Sequence, residues 1–63
     1  MEINNAKIEL LDEYKAAKLL TISVSTLRSW RFKQDGPAYR KIGGTIRYAV
    51  SDILAFLEAS KRS

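Results

Sequence analysis

Across residues 13–20, EYKAAKLL, the apolar positions Ala16, Ala17, Leu19 and Leu20 recur at offsets of three and four. That spacing gathers side chains on one face of an α-helix and predicts an amphipathic helix of about two turns. Asp12 stands just before it and can accept the unpaired amides of the first turn, while Glu13 places negative charge at the positive end of the helix dipole. Thr21-Ile22-Ser23 ends the pattern with two β-branched residues and a hydroxyl. Ser23 is then suited to cap a second helix, VSTLRSWRF, running from about 24 to 32 or 33. Within it Leu27 and Trp30 are three apart and point inward. Stepping about 100° per residue puts Ser25, Arg28, Ser29 and Phe32 on the opposite side.

Asp35-Gly36-Pro37 punctuates the chain. AYRKI and TIRYAV follow, two short strands joined at Gly43-Gly44. A two-residue loop would pair Ile42 with Thr45 and Lys41 with Ile46. A three-residue loop that includes Thr45 pairs Ile42 with Ile46 and leaves Lys41 and Arg47 facing out together. A one-residue slip moves side chains to the wrong face, so the three-residue loop is expected. Ser51 is expected to cap a last helix, with Asp52 in its first turn and Ile53, Leu54, Phe56 and Leu57 as its apolar stripe. IELL at 8–11 is suited to a short extended segment closing over the core. Residues 8–60 thus form one α+β domain, ordered helix, helix, two-stranded wing, helix, with 1–7 and 61–63 expected to be flexible ends.

Composition narrows the chemistry. A 63-residue domain buries only about 60% of the surface its unfolded chain exposes, so it supports one modest core. With no cysteine and no histidine, neither disulfides nor the usual zinc patterns can reinforce it. The same inventory leaves no thiol or imidazole as nucleophile, base or metal ligand. The carboxylates Asp12, Glu13, Asp35, Asp52 and Glu58 each have a surface or capping role. Gly43-Gly44 lacks the following helix and Lys-Ser/Thr of a phosphate-binding loop. The expectation is a protein that is not an enzyme and uses no metal or cofactor. No apolar run approaches the roughly 20 residues that cross a bilayer, and MEINNAKIEL has neither the basic nor the apolar region of a signal peptide. A cytoplasmic protein with no membrane partner is expected.

Charge gives the partner. The net charge is +4, and between Arg28 and Arg47 six cations face Asp35 alone, a local net of +5 that leaves the remainder at −1. Such a basic middle suits a polyanion, although a solvated basic surface has the same count. Two short helices with a polar, cationic outer face make a unit able to enter a DNA major groove about 12 Å wide. Arg28 can donate twice to guanine O6 and N7, or remain a solvated arginine. Ser25, Thr26 and Ser29 can donate to phosphates or bases, Thr26 alternatively to nearby backbone. Arg31 and Lys33 suit phosphates. Lys41 and Arg47 on the wing can follow adjacent backbone or enter a minor groove, where arginine is attracted; Arg47 can also be a plain strand residue. Trp30 belongs to the core, Tyr39 and Tyr48 are expected half-buried, and Phe32 either packs under Pro37 or the hairpin or stays exposed as a contact.

With these positions assigned, residues 10–57 resemble the excisionase-like and AlpA-like small winged helix-turn-helix proteins, relatives of the DNA-binding half of MerR regulators. The first matching block holds Leu10, Leu11, Asp12, Ala16, Ala17, Leu20, Ile22, Ser23, Thr26, Leu27 and Trp30. The second holds Gly36, Pro37, Ile42, Gly43, Ile46, Arg47, Tyr48, Ser51, Asp52, Phe56 and Leu57. Two positions depart from the family pattern. Lys15 replaces a Glu of the reciprocal capping interaction, and Thr21 replaces the glycine of the turn, which is awkward if the turn needs a positive φ.

The resemblance implies that the second helix, through Ser25, Thr26, Arg28 and Ser29, enters the major groove of double-stranded DNA while Lys41 and Arg47 serve the wing. Members belong to phages and other mobile elements. Some are excisionases, recombination directionality factors that bend attachment-site DNA and bias an integrase; others regulate transcription. Excision is the leading expectation, with head-to-tail self-association on DNA. Transcriptional regulation and a protein-interaction or packaging adaptor are the alternatives.

Overall fold

The computed structural model describes residues 9–61. Its elements are β1 (Leu10–Leu11), α1 (Glu13–Leu20), α2 (Val24–Lys33), β2 (Arg40–Ile42), β3 (Thr45–Ala49) and α3 (Val50–Ala59). The helix–helix–wing–helix order and the α+β class are as expected. Of the flexible ends expected at 1–7 and 61–63, residues 1–7, 62 and 63 lie outside the described residues.

Local chemistry sets both ends of the first two helices. Asp12 caps α1 by accepting the Lys15 amide at Oδ1, 2.8 Å away, and Ser23 caps α2 by accepting the Thr26 amide at Oγ, 3.0 Å away. Thr21 adopts φ +57°, the left-handed conformation that favours glycine. Its amide and that of Ile22 donate to the carbonyls of Lys18 and Ala17, each over 3.0 Å. Gln34 ends α2 in the same way at φ +61°, with the Asp35 amide donating to the Trp30 carbonyl over 2.8 Å. Gly36 then crosses the face of Trp30 so closely that a Cβ there would lie 3.0 Å from Trp30 Cε3. Any larger residue here would need Trp30 to give by a few tenths of an ångström.

The sheet order is β1-β3-β2, antiparallel throughout. The extended segment expected at 8–11 is therefore a strand, pairing Leu10 with Ala49 and Leu11 with Tyr48. The wing corrects the expected three-residue loop. Ile42 lies opposite Thr45, Lys41 opposite Ile46 and Arg40 opposite Arg47. Gly43 and Gly44 both have positive φ, +54° and +86°, the pattern of a two-residue type I′ turn whose twist matches that of the strands. Burial offers no counterweight, because Ile42 remains 50% exposed and nothing rewards placing it beside Ile46. Lys41 and Arg47 consequently sit on opposite faces of the wing, not together.

The helix that follows is also corrected. α3 begins at Val50 with Ala49 as its cap residue, and Ser51 lies inside the first turn instead of capping it. β3 runs directly into α3, no side chain caps it, and the Val50 amide donates to the Glu9 carbonyl over 3.0 Å.

Ala16, Ala17, Leu27, Tyr48 and Ile53 form the buried centre, with Leu11, Leu20, Ile22, Val24, Trp30 and Ile46 packed around it. The two alanines let α1 lie close against α2 and the sheet. Trp30 meets Phe56 with ring centroids 5.6 Å apart. Tyr48, expected half-buried, is wholly inside at 1% exposure because an internal donor satisfies its hydroxyl, whereas Tyr39 is partly exposed. Of the α3 stripe, Ile53 is buried while Leu54 and Leu57 stay exposed.

Candidate DNA interface

The packing of α1 across α2 turns one side of α2 outward. Ser25, Arg28, Ser29, Phe32 and Lys33 are exposed along it. Thr26 is half-buried, and its Oγ1 accepts from Ser23 Oγ over 2.9 Å. Its hydroxyl is thus engaged at the start of the helix, with the Ser23 side chain and not with the backbone weighed for it from sequence. Phe32 does not pack under Pro37 or the hairpin; it is 90% exposed.

Arg28 and Arg31 converge on one carboxylate. Arg28 Nε donates to Glu13 Oε1 over 3.1 Å and Nη2 to Oε2 over 2.7 Å, with a further Nη2 contact to the Tyr14 hydroxyl at 3.2 Å. Arg31 Nη1 reaches Glu13 Oε1 at 3.3 Å and donates to the Tyr48 hydroxyl at 3.2 Å, while its guanidinium lies over the Tyr39 ring. Hydrogen bonding from Arg28 holds the Glu13 carboxyl below the usual carboxylate range against the opposing effect of burial. Glu13 in turn raises the Arg28 guanidinium, and the Tyr48 hydroxyl raises that of Arg31.

These partners separate the two arginines in function. The Arg31 side chain is only 20% exposed and braces α2 against the sheet, so it is not presented as an open phosphate ligand. That of Arg28 is 50% exposed, and the Nε side of its guanidinium is the one occupied by Glu13. Sequence periodicity had given Glu13 only a dipole role. The partners are 15 and 18 residues away, and only the crossing of α1 and α2 brings them together.

Between α2 and the wing lies an open groove lined by Arg28, Phe32, Gln34, Tyr39, Lys41 and Ile46, with Arg31 at its base; no carboxylate lines it. Lys41 thus faces the same groove as Arg28. Arg47 lies on the other face of the wing beside Arg40, its Nη1 donating to the Ile46 carbonyl over 2.9 Å. Arg40 approaches Asp52 at 3.6 Å. Sequence reasoning had passed over Arg40, whose charge and alternation with Lys41 were the available signals.

Two helices joined by a tight turn, the second presented outward and followed by a β-hairpin, define the winged helix-turn-helix class of DNA-binding proteins. A family model described as Helix-turn-helix domain matches residues 11–61, and the chain belongs to that family, which includes AlpA-like and excisionase-like small DNA-binding proteins. DNA is its partner, bound sequence-specifically. No curated protein and no solved structure shows significant similarity to the chain. Among the described residues no helix is long and apolar enough to cross a membrane.

Proposed function

We propose that this protein is an excisionase of a mobile element: it binds beside an attachment site, bends the DNA and biases an integrase toward excision, with no covalent chemistry of its own. The observation that carries this reading is the distribution of cations on the wing. Lys41 projects from one face and Arg47 from the other, beside Arg40, which is paired with Asp52 at 3.6 Å. A hairpin lying along a single phosphate backbone needs positive charge on one side only. A hairpin inserted in a minor groove has a phosphate wall on each side, and cations on both faces suit it.

Minor-groove insertion beside a recognition helix in the major groove favours bent DNA. Smooth bending of a 20–30 base-pair site by 40–90° costs about 1 to 6 kcal/mol, which one small module offsets poorly and several adjacent modules offset together. Head-to-tail copies on direct repeats follow from that arithmetic. In this reading Arg28 reads a guanine, Ser25 and Ser29 assist it, Lys33 and Lys41 hold phosphates, and Arg47 enters the minor groove.

The test is selection of binding sites from random duplex DNA at physiological salt, reading motif copy number, orientation and spacing, followed by measurement of the bend in the selected site. Direct repeats with a bend that decreases in Arg40→Ala/Arg47→Ala are expected. A single or inverted motif in straight DNA would instead favour transcriptional regulation. No enriched motif would favour the adaptor role.

A further inference from the structure

Phe32 is the most exposed large apolar side chain among the described residues, at 90% against 60% for Tyr14, the next. It has no part in either aromatic pair, Trp30 with Phe56 or Tyr39 with Tyr48. It is also placed on the outward side of α2, four residues after Arg28 and seven after Ser25, the spacing of one helical face. Its neighbours are cationic: Arg28 one turn before, Lys33 adjacent, and Lys41 across the carboxylate-free groove.

We propose that Phe32 is a specificity-determining residue that takes the 5-methyl group of a thymine in the DNA major groove. The proposal rests on the DNA-binding reading and deepens it. An apolar protein partner seated on Phe32 would have to desolvate Lys33 and Lys41, which have no acidic partner among the described residues, whereas Arg28 is already paired with Glu13. The major groove supplies phosphates for those cations and a single kind of apolar group among its base edges, the thymine methyl. Residues four apart on a helix are separated by about 6 Å along its axis. Base pairs are about 3.4 Å apart, so the thymine lies within about two base pairs of the base that Arg28 contacts. The chain would therefore prefer a site that couples a purine acceptor edge to a nearby thymine methyl.

The experiment uses the full chain and a duplex carrying the motif enriched from random DNA. Each thymine is replaced in turn by deoxyuridine, which removes the methyl and nothing else, and binding is compared for the native protein, Phe32→Ala and Phe32→Leu. Loss of one well-buried methyl-sized contact corresponds to about a fourfold weakening. One thymine should show that loss with the native protein, little or none with Phe32→Ala and an intermediate loss with Phe32→Leu. The salt dependence should be the same for all three, since Phe32 neutralises no phosphate. Uniform indifference to deoxyuridine, or equal sensitivity in Phe32→Ala, overturns the proposal while leaving sequence-specific binding intact. If Phe32→Ala instead weakens only cooperative binding to two-site DNA, the side chain contacts a second copy and the methyl assignment fails. Failure to enrich any motif overturns the underlying reading as well.

Discussion

Replacing Thr21 by glycine should make the protein more stable. Thr21 holds φ +57°, and a left-handed conformation costs an L-residue roughly 1 to 2 kcal/mol, with β-branching adding to the crowding. Glycine removes that cost but brings roughly 0.5 to 1 kcal/mol of extra unfolded-state entropy. The hydroxyl that is lost donates over 2.6 Å to the adjacent Leu20 carbonyl at an exposed position, where water replaces it at little cost. The two amide caps that close α1 are backbone bonds and survive. The net gain is about 0.5 to 1 kcal/mol. An unfolding entropy of about 2.1 cal/mol/K per residue gives about 0.13 kcal/mol/K for a chain of this length, so Tm should rise by about 4 to 8 °C. Thermal and urea unfolding followed by circular dichroism test it, with the midpoint shifting at constant m-value. Thr21→Ala is the control: it removes the hydroxyl yet keeps the Cβ, and should bring no such gain. If the glycine variant is no more stable than the native protein, strain at Thr21 is not the governing cost and the argument fails. DNA affinity should stay within about twofold, because the turn geometry is unchanged.

Trp30→Ala should cost about 3 kcal/mol, the low end for a buried aromatic because Trp30 keeps some exposure, and urea unfolding should leave little of the stability expected of so small a domain. Glu13 contributes stability that is present above its unfolded pKa of about 4.3 and lost as pH falls through its lower folded value; Glu13→Gln should remove that acid-side slope, measured as urea midpoints between about pH 2.5 and 6. The same variant should bind non-specific DNA more tightly, by removing a negative charge, yet discriminate less well at the position Arg28 contacts, which competition binding measures. Lys41→Ala should weaken all duplexes about equally and reduce the slope of log K against log salt by about 1, whereas Arg28→Ala should relax preference at one base position.

The parts of the fold that could be read from sequence are those whose physics is local. Asp12 and Ser23 act on amides three residues ahead, so a cap followed by an apolar period is a complete signal. Gly43-Gly44 announced a turn in the same way, but not its length. That depended on whether burial would pull Ile42 level with Ile46, and an isoleucine left half in water exerts no such pull. The start of α3 was misread for a different reason. Only the pairing of β1 with β3 delivers the Glu9 carbonyl to the Val50 amide, and a two-residue strand leaves no periodicity to detect. Tyr48 likewise looked amphipathic until Arg31, seventeen residues away, supplied the donor that lets its hydroxyl be buried.

The same non-local geometry decides what the interface can do. A guanidinium has five N–H donors, and Arg28 commits Nε and one Nη2 hydrogen to Glu13 and the other Nη2 hydrogen to Tyr14. A bidentate contact made through the Nε edge would demand that Glu13 let go, which would make the carboxylate an inhibitor. The lengths argue otherwise. The bonds to Glu13 include the 2.7 Å charge-assisted one, while the Tyr14 contact is 3.2 Å to a neutral hydroxyl and is the weaker. Releasing Tyr14 alone frees a hydrogen on Nη2 that, with Nη1, forms an end-on fork for O6 and N7 while Glu13 keeps its grip on the side of Nε. Glu13 then restricts the arginine to fewer rotamers before DNA arrives, lowering the ordering cost of a base contact. Its negative charge opposes binding to phosphates everywhere. The first effect favours the right sequence over the rest, the second lowers affinity for every sequence alike, and in the proposed complex both arise from a residue that touches no base.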